Sequence, residues 1–203
     1  MNAATFYHVY NHANGNESLF RQERNYPFFL KKVSKYINPI ANTYAYCLMP
    51  NHFHFLIRIK EEEALKEYFE SVGKLKKYKF PEDLESMLSQ QFSNLFNAYA
   101  KAYNITYSRM GSLFIPNFKK KEITTKSYLT NLIRYIHNNP IHHGFVKNID
   151  DWPHSSYHAL LHQKQSLLKI ELLLGLYSNK EEFIKSHKHP LEKKLLMEME
   201  FLE

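Results

Sequence analysis

Cysteine is nearly missing from this chain of 203 residues: Cys47 stands alone. A disulfide framework is therefore impossible, and a cysteine-based zinc centre is excluded. One thiol fits a reducing compartment, so a cytoplasmic protein is expected. Long apolar runs are also missing; none approaches the ~18 consecutive residues of a membrane-spanning helix. The start, Met1-Asn2-Ala3-Ala4-Thr5, has no basic segment followed by a long apolar one, and no signal peptide is expected.

What the chain does contain is ordinary in bulk and unusual in detail. Hydrophobic residues make up 44% and charged residues 23%, which suits a globular protein with a substantial core. The formal charge is +7, a surplus that favours a polyanionic partner without demanding one. There are 15 Tyr and 15 Phe, a load that can serve as core or as stacking surfaces for unpaired bases, with core the expected use of most.

Phe6-Tyr7-His8-Val9-Tyr10 reads as a first strand, closed by the turn residues Asn14-Gly15-Asn16. Arg24 to Tyr36 has helical spacing and Pro39 ends it. Thr43 to Met49 reads as a second strand, and Pro50-Asn51 as a corner. Beyond it, Phe53, Phe55, Ile57 and Ile59 alternate with His52, His54, Leu56 and Arg58. A pleat of period two sends the apolar set into the core and both histidines to the other face.

Glu61 to Tyr78 is charged and partly helical, with breaks at Gly73 and Pro81. Leu88, Phe92, Leu95, Phe96, Tyr99 and Tyr103 form the stripe of an amphipathic helix over Glu85 to Asn104. Ser108 to Phe118 is loop-like and leads into Lys119-Lys120-Lys121. Ser127 to Asn138 is a further helix, and Pro140 places Asn139 at its end. Ser178 with Glu181 reads as a capping box opening a short helix. The order points to an α+β fold, helices on an antiparallel sheet, with a ferredoxin-like arrangement as its simplest form. The expected division is residues 1–160 as one domain and 161–203 as a helical C-terminal extension.

His52 and His54 project from one face of a strand, with backbones ~7 Å apart, and can converge on one ion. A chance pair among 12 histidines is the bland reading, and two ligands alone make a weak site. Tyr135 and Asn139 lie one helical turn apart and share a face. If that face covers the histidines, Asn139 can offer the ion an oxygen while Tyr135 lies beside a phosphate. A phenol is protonated near neutrality, and an adjacent cation favours its phenolate. Tyr128 and Tyr157 are rivals that spacing does not eliminate. His137, His142 and His143 are further candidate ligands near a helix end, where the dipole also favours histidine. His8 and His12 share one face of the first strand, and His8 is a candidate to border the site. Lys119, Lys120 and Lys121 beside Phe118 suit phosphate contacts, with a solvated charge run as the default.

Five segments in order carry a resemblance: Tyr7-His8-Val9-Tyr10-Asn11, Ala45-Tyr46-Cys47-Leu48-Met49-Pro50-Asn51-His52-Phe53-His54, Gly111-Ser112-Leu113-Phe114, Arg134-Tyr135-Ile136-His137-Asn138-Asn139-Pro140 and Trp152-Pro153-His154-Ser155-Ser156-Tyr157. Together they resemble the single-tyrosine HUH transposases, in particular the REP-associated tyrosine transposases, over roughly residues 5 to 160. The resemblance implies a ferredoxin-like (RRM-like) domain that cuts and rejoins single-stranded DNA near a hairpin, as monomer or homodimer. It implies Mg²⁺ or Mn²⁺ held by His52, His54 and Asn139, and Tyr135 as the nucleophile in preference to Tyr128 and Tyr157. The implied product is a 5′-phosphotyrosine with a free 3′-hydroxyl. DNA contacts are expected from Lys119, Lys120, Lys121 and Arg134. The chain departs from the family where Ile115-Pro116-Asn117-Phe118-Lys119 replaces a Gln-Gly-Arg-Phe-Lys run, and where Asn138 replaces an apolar residue. The alternative is a non-catalytic single-strand binder with aromatics stacking bases. Such a protein has no use for His52, His54 and Tyr135 in register.

Overall fold

Alternating aromatic and polar residues build one antiparallel sheet from Phe6–His12 (β1), Ala41–Leu48 (β2), His52–Ile59 (β3) and Lys119–Ile123 (β4), in the order β2-β3-β1-β4. The structure is a computed structural model and describes residues 1–161, 168, 175–189, 196 and 199. The helices are Asn25–Tyr36 (α1), Glu62–Ser71 (α2), Leu84–Thr106 (α3), Lys126–His142 (α4), Tyr157–Leu161 (α5) and Lys180–Lys188 (α6). Among the described residues, no helix is long and apolar enough to cross a membrane.

The run β1-α1-β2-β3-α3-β4 is the expected ferredoxin-like α+β arrangement. Phe53, Phe55, Ile57 and Ile59 face α1 and α3, as the alternation requires. The Phe29 ring on α1 lies 5.2 Å from Phe53 and 4.9 Å from Tyr99 on α3. Burying each such side chain contributes roughly 1.5–3 kcal/mol. The opposite face is covered by α4, so the sheet is the middle of three layers. Nearly every residue of β3 is accordingly buried, histidines included.

Three expectations change. Lys119-Lys120-Lys121 is not a loop-borne charge run but most of β4, paired to β1 with Lys121 opposite His8. Lysine on an edge strand guards against pairing with foreign strands, and it also hides the apolar alternation that marks a strand in sequence. The α4 helix does not stop at Asn138 but runs through Pro140 to His142. A proline in the last turn removes only one backbone bond. His143 N–H donates to Asn139 O at 3.0 Å and Phe145 N–H to Pro140 O at 2.9 Å, with Gly144 at φ +71° closing the helix. The capping box of α6 is shifted by one: Asn179 Oδ1 accepts from Glu182 N–H at 2.7 Å, and Glu182 Oε2 accepts from Ser178 N–H at 2.6 Å. Asn is as good an N-cap as Ser and takes the role here.

The segment Trp152 to Tyr157 clamps β2. Trp152 Nε1 donates to Leu48 O at 3.2 Å, Leu48 N–H donates to His154 O at 2.9 Å, and Tyr46 N–H donates to Ser156 Oγ at 2.8 Å. These bonds occupy the outer edge of β2 next to the histidine strand.

Candidate active site

β1 and β3 pair with His12 opposite His52 and Tyr10 opposite His54. Residues directly opposite in an antiparallel pair share a face, so His8, Tyr10, His12, His52 and His54 line one side. The His12 and His52 rings stack at 4.7 Å, and His8 Nε2 lies 2.9 Å from His54 Nδ1. His52 and His54 stand nearly perpendicular, with ring centroids 5.2 Å apart.

The α4 helix lowers Tyr135 and Asn139 onto this face within the same chain. The Tyr135 ring meets His54 edge to face at 5.7 Å and His8 at 6.4 Å. Asn139 Oδ1 lies 3.1 Å from His52 Nε2. Asn138 turns back instead and donates to Arg134 O at 2.9 Å. Tyr135 is 1% exposed and Asn139 fully buried, so a phosphate reaches the phenol only if its neighbours part. Of the rivals, Tyr128 lies under the Lys121 ammonium at 4.8 Å. Tyr157 packs behind α4 against His137, Phe183 and His187.

His137 is fully buried on the far side of α4. Its Nε2 lies 2.7 Å from Ser156 Oγ and its Nδ1 2.8 Å from His187 Nε2. Burial, then the neighbouring His187, holds its pKa well below the usual histidine range. It joins α4 to α6, on the side of α4 away from His52 and His54. His143 does approach the site, its ring 4.9 Å from His52, and His142 stacks on Tyr135 at 6.1 Å.

The cationic candidates divide. Lys119 and Lys121 are opposite Tyr10 and His8 and flank the histidine face. Lys120 is opposite Val9, on the α3 side, and pairs with Glu85 at 2.5 Å. Arg134, expected to contact DNA, donates to Asn131 Oδ1 at 3.1 Å and to His189 O at 2.7 Å, which ties α4 to the end of α6.

Whether this set suits a cation can be judged at His52. Its Nδ1 lies 2.9 Å from Asn51 Oδ1, while Asn139 Oδ1 faces its Nε2. Burial, then the neighbouring His54, pushes its pKa down to about 3, so the ring is neutral. A neutral imidazole has one N–H, and one of these two contacts therefore lacks a proton. A small divalent ion between Nε2 and Oδ1 would resolve the mismatch. Two ligands at right angles around an ion at ~2.1 Å lie roughly 3 Å apart. The His52 imidazole and the amide oxygen thus suit a shared ion, with the His54 ring 5.2 Å from that of His52. Among the described residues, no three His, Cys, Asp or Glu side chains are grouped to hold one, so the amide is essential to this arrangement. A cleft of about 690 Å³ between α3 and residues 111–118 is lined by Ser93, Asn97 and Phe118 and does not include these rings.

In the sequence His8 is only weakly marked as part of the site and Asn51 is not marked at all. The period of two along β1 carried the signal for His8; the corner position of Asn51 carried none.

No family model matches the chain. It is 30% identical over 116 residues to a protein named as a REP-associated tyrosine transposase from Haemophilus influenzae, a stretch covering 57% of this chain and 58% of the relative. The chain thus spans under two thirds of that relative's length. Its fold matches a solved REP-associated tyrosine transposase bound to a REP hairpin with a TM-score of 0.59 and 17% identity, over 80% of this chain and 82% of the other. Both likenesses, one in sequence and one in fold, are to proteins named as REP-associated tyrosine transposases.

Proposed function

We propose that this chain is a metal-dependent enzyme that cuts and rejoins single-stranded DNA beside a hairpin through a covalent 5′-phosphotyrosine on Tyr135. The observation carrying this is the approach of Tyr135, His54, His52 and Asn139 from two distant segments to one buried face. The likeness to transposases, one of them bound to a hairpin, supports the choice of DNA.

His52, His54 and Asn139 would hold Mg²⁺ or Mn²⁺, which supplies Lewis-acid polarisation of the scissile phosphate. Tyr135 attacks the phosphorus; the phosphorus–O3′ bond breaks, and the phenolic proton passes to the departing 3′ oxygen. The reverse attack by a 3′-hydroxyl releases Tyr135 and joins the strands. Burial of the ring excludes water from the ester while it waits. Lys119 and Lys121 border the entrance and would take the flanking phosphates. Residues 161–203 would form a C-terminal extension whose described helix, α6, braces α4, a reading supported by the bonds from Arg134 to His189 at the end of α6 and from His137 to His187.

Incubation with a hairpin-bearing oligonucleotide and Mn²⁺ should yield a protein–DNA adduct on a denaturing gel. Tyr135→Phe should remove the adduct and keep binding. An adduct surviving that substitution overturns the assignment, and binding without any wild-type adduct leaves a single-strand binder.

A further inference from the structure

We infer that His8 is a positioning residue, holding His54 with its proton on Nδ1 so that Nε2 is presented to the metal. This rests on the metal site proposed above and extends it to a residue with no direct part in that site.

The same nitrogen of each ring, Nδ1, is held from outside the site. His52 Nδ1 lies 2.9 Å from Asn51 Oδ1, and His54 Nδ1 lies 2.9 Å from His8 Nε2. An amide oxygen only accepts, so His52 carries its proton on Nδ1 and its lone pair on Nε2. The matching arrangement at His54 makes it the donor and His8 Nε2 the acceptor. His8 suits this task because it cannot turn away. It is fully buried, its ring lies 4.7 Å from Tyr10 and 5.1 Å from His54, and Tyr135 closes the third side at 6.4 Å. Diagonal placement on neighbouring strands sets the reach: His8 is opposite Leu56, and His54 is opposite Tyr10. An outer partner of this kind typically changes metal affinity 10–100-fold.

The test is Mn²⁺ binding to the full chain by calorimetry, without DNA, together with the histidine tautomers of the metal-free protein by long-range ¹⁵N–¹H correlation. His8→Ala should weaken Mn²⁺ by roughly 10–100-fold. His8→Gln, whose amide oxygen can accept the same bond, should restore most of it. Metal-free His54 should show its proton on Nδ1. Equal binding by His8→Ala and wild type, or equal loss in both variants, overturns the inference alone. A proton on Nε2 of His54 overturns it even if the variants fail to fold. A wild-type protein without affinity for Mn²⁺ overturns the metal site and this inference with it.

Discussion

Asn139 Oδ1 stands 3.1 Å from Nε2 of His52, although 87 positions separate the two residues. The contact distinguishes two adjacent asparagines that composition and propensity treat alike. Asn139 points into the sheet, and Asn138 bonds back to its own helix. Asn139→Ala should therefore weaken Mn²⁺ binding by at least about tenfold, the scale of a lost ligand or its close partner. Asn138→Ala should stay within about twofold, since its bond is a half-buried one within the helix. Titration calorimetry checks this, and equal effects at both positions would refute the assignment.

The split of the lysines gives a second outcome. Lys119→Gln and Lys121→Gln should each lower single-strand affinity and reduce the salt slope by ~0.7, the value of one phosphate contact. Lys120→Gln should leave the slope unchanged, because that side chain already faces Glu85. Binding measured from low to moderate salt separates the three; an equal drop at Lys120 contradicts the placement.

Stability should fall in mild acid. Burial lowers the pKa of His187 to about 4 and that of His137 well below its usual range. In the unfolded chain both titrate near ~6.5. Above that value neither state is protonated and the pair costs nothing. Below it the unfolded chain takes up protons that the folded one refuses, so stability declines from pH ~6.5 toward ~4. Each histidine contributes up to ~1.4 kcal/mol per pH unit in that window. Urea unfolding at several pH values should show a shallower decline for His187→Gln, and a wild-type curve flat across the window would contradict the burial.

Arg134→Ala should loosen α6 and leave DNA affinity within about twofold. Its charge-assisted bond to His189 O is exposed and is worth at most about 1 kcal/mol after solvent screening. Faster amide exchange in α6 would register the loss. A large fall in DNA affinity with α6 unchanged would return Arg134 to the DNA.

Much of this was legible in the chain itself. The alternation across His52–Ile59 set which residues meet α1 and α3, because a pleat has no other way to distribute them. The four-residue step from Tyr135 to Asn139 placed both on one helical face for a similar reason. The fourth strand was less legible, since Lys119–Ile123 carries charge where strands usually show alternation, and an edge position is visible only once its neighbour is known. Pro140 misled for a local reason: its penalty falls on one bond, and Asn139, Pro140 and Gly144 recover the end of the helix.

Periodicity by itself determined which faces existed: an aromatic core side, a histidine side and a tyrosine-bearing helical face. It could not say which faces would meet. That was decided by the tertiary structure, where α4 crosses to the side of the sheet opposite α1 and α3 and buries Tyr135 beside His54 and His8. Local spacing reports only a few residues along the chain, whereas the pairing of distant surfaces depends on how all the apolar faces are covered at once.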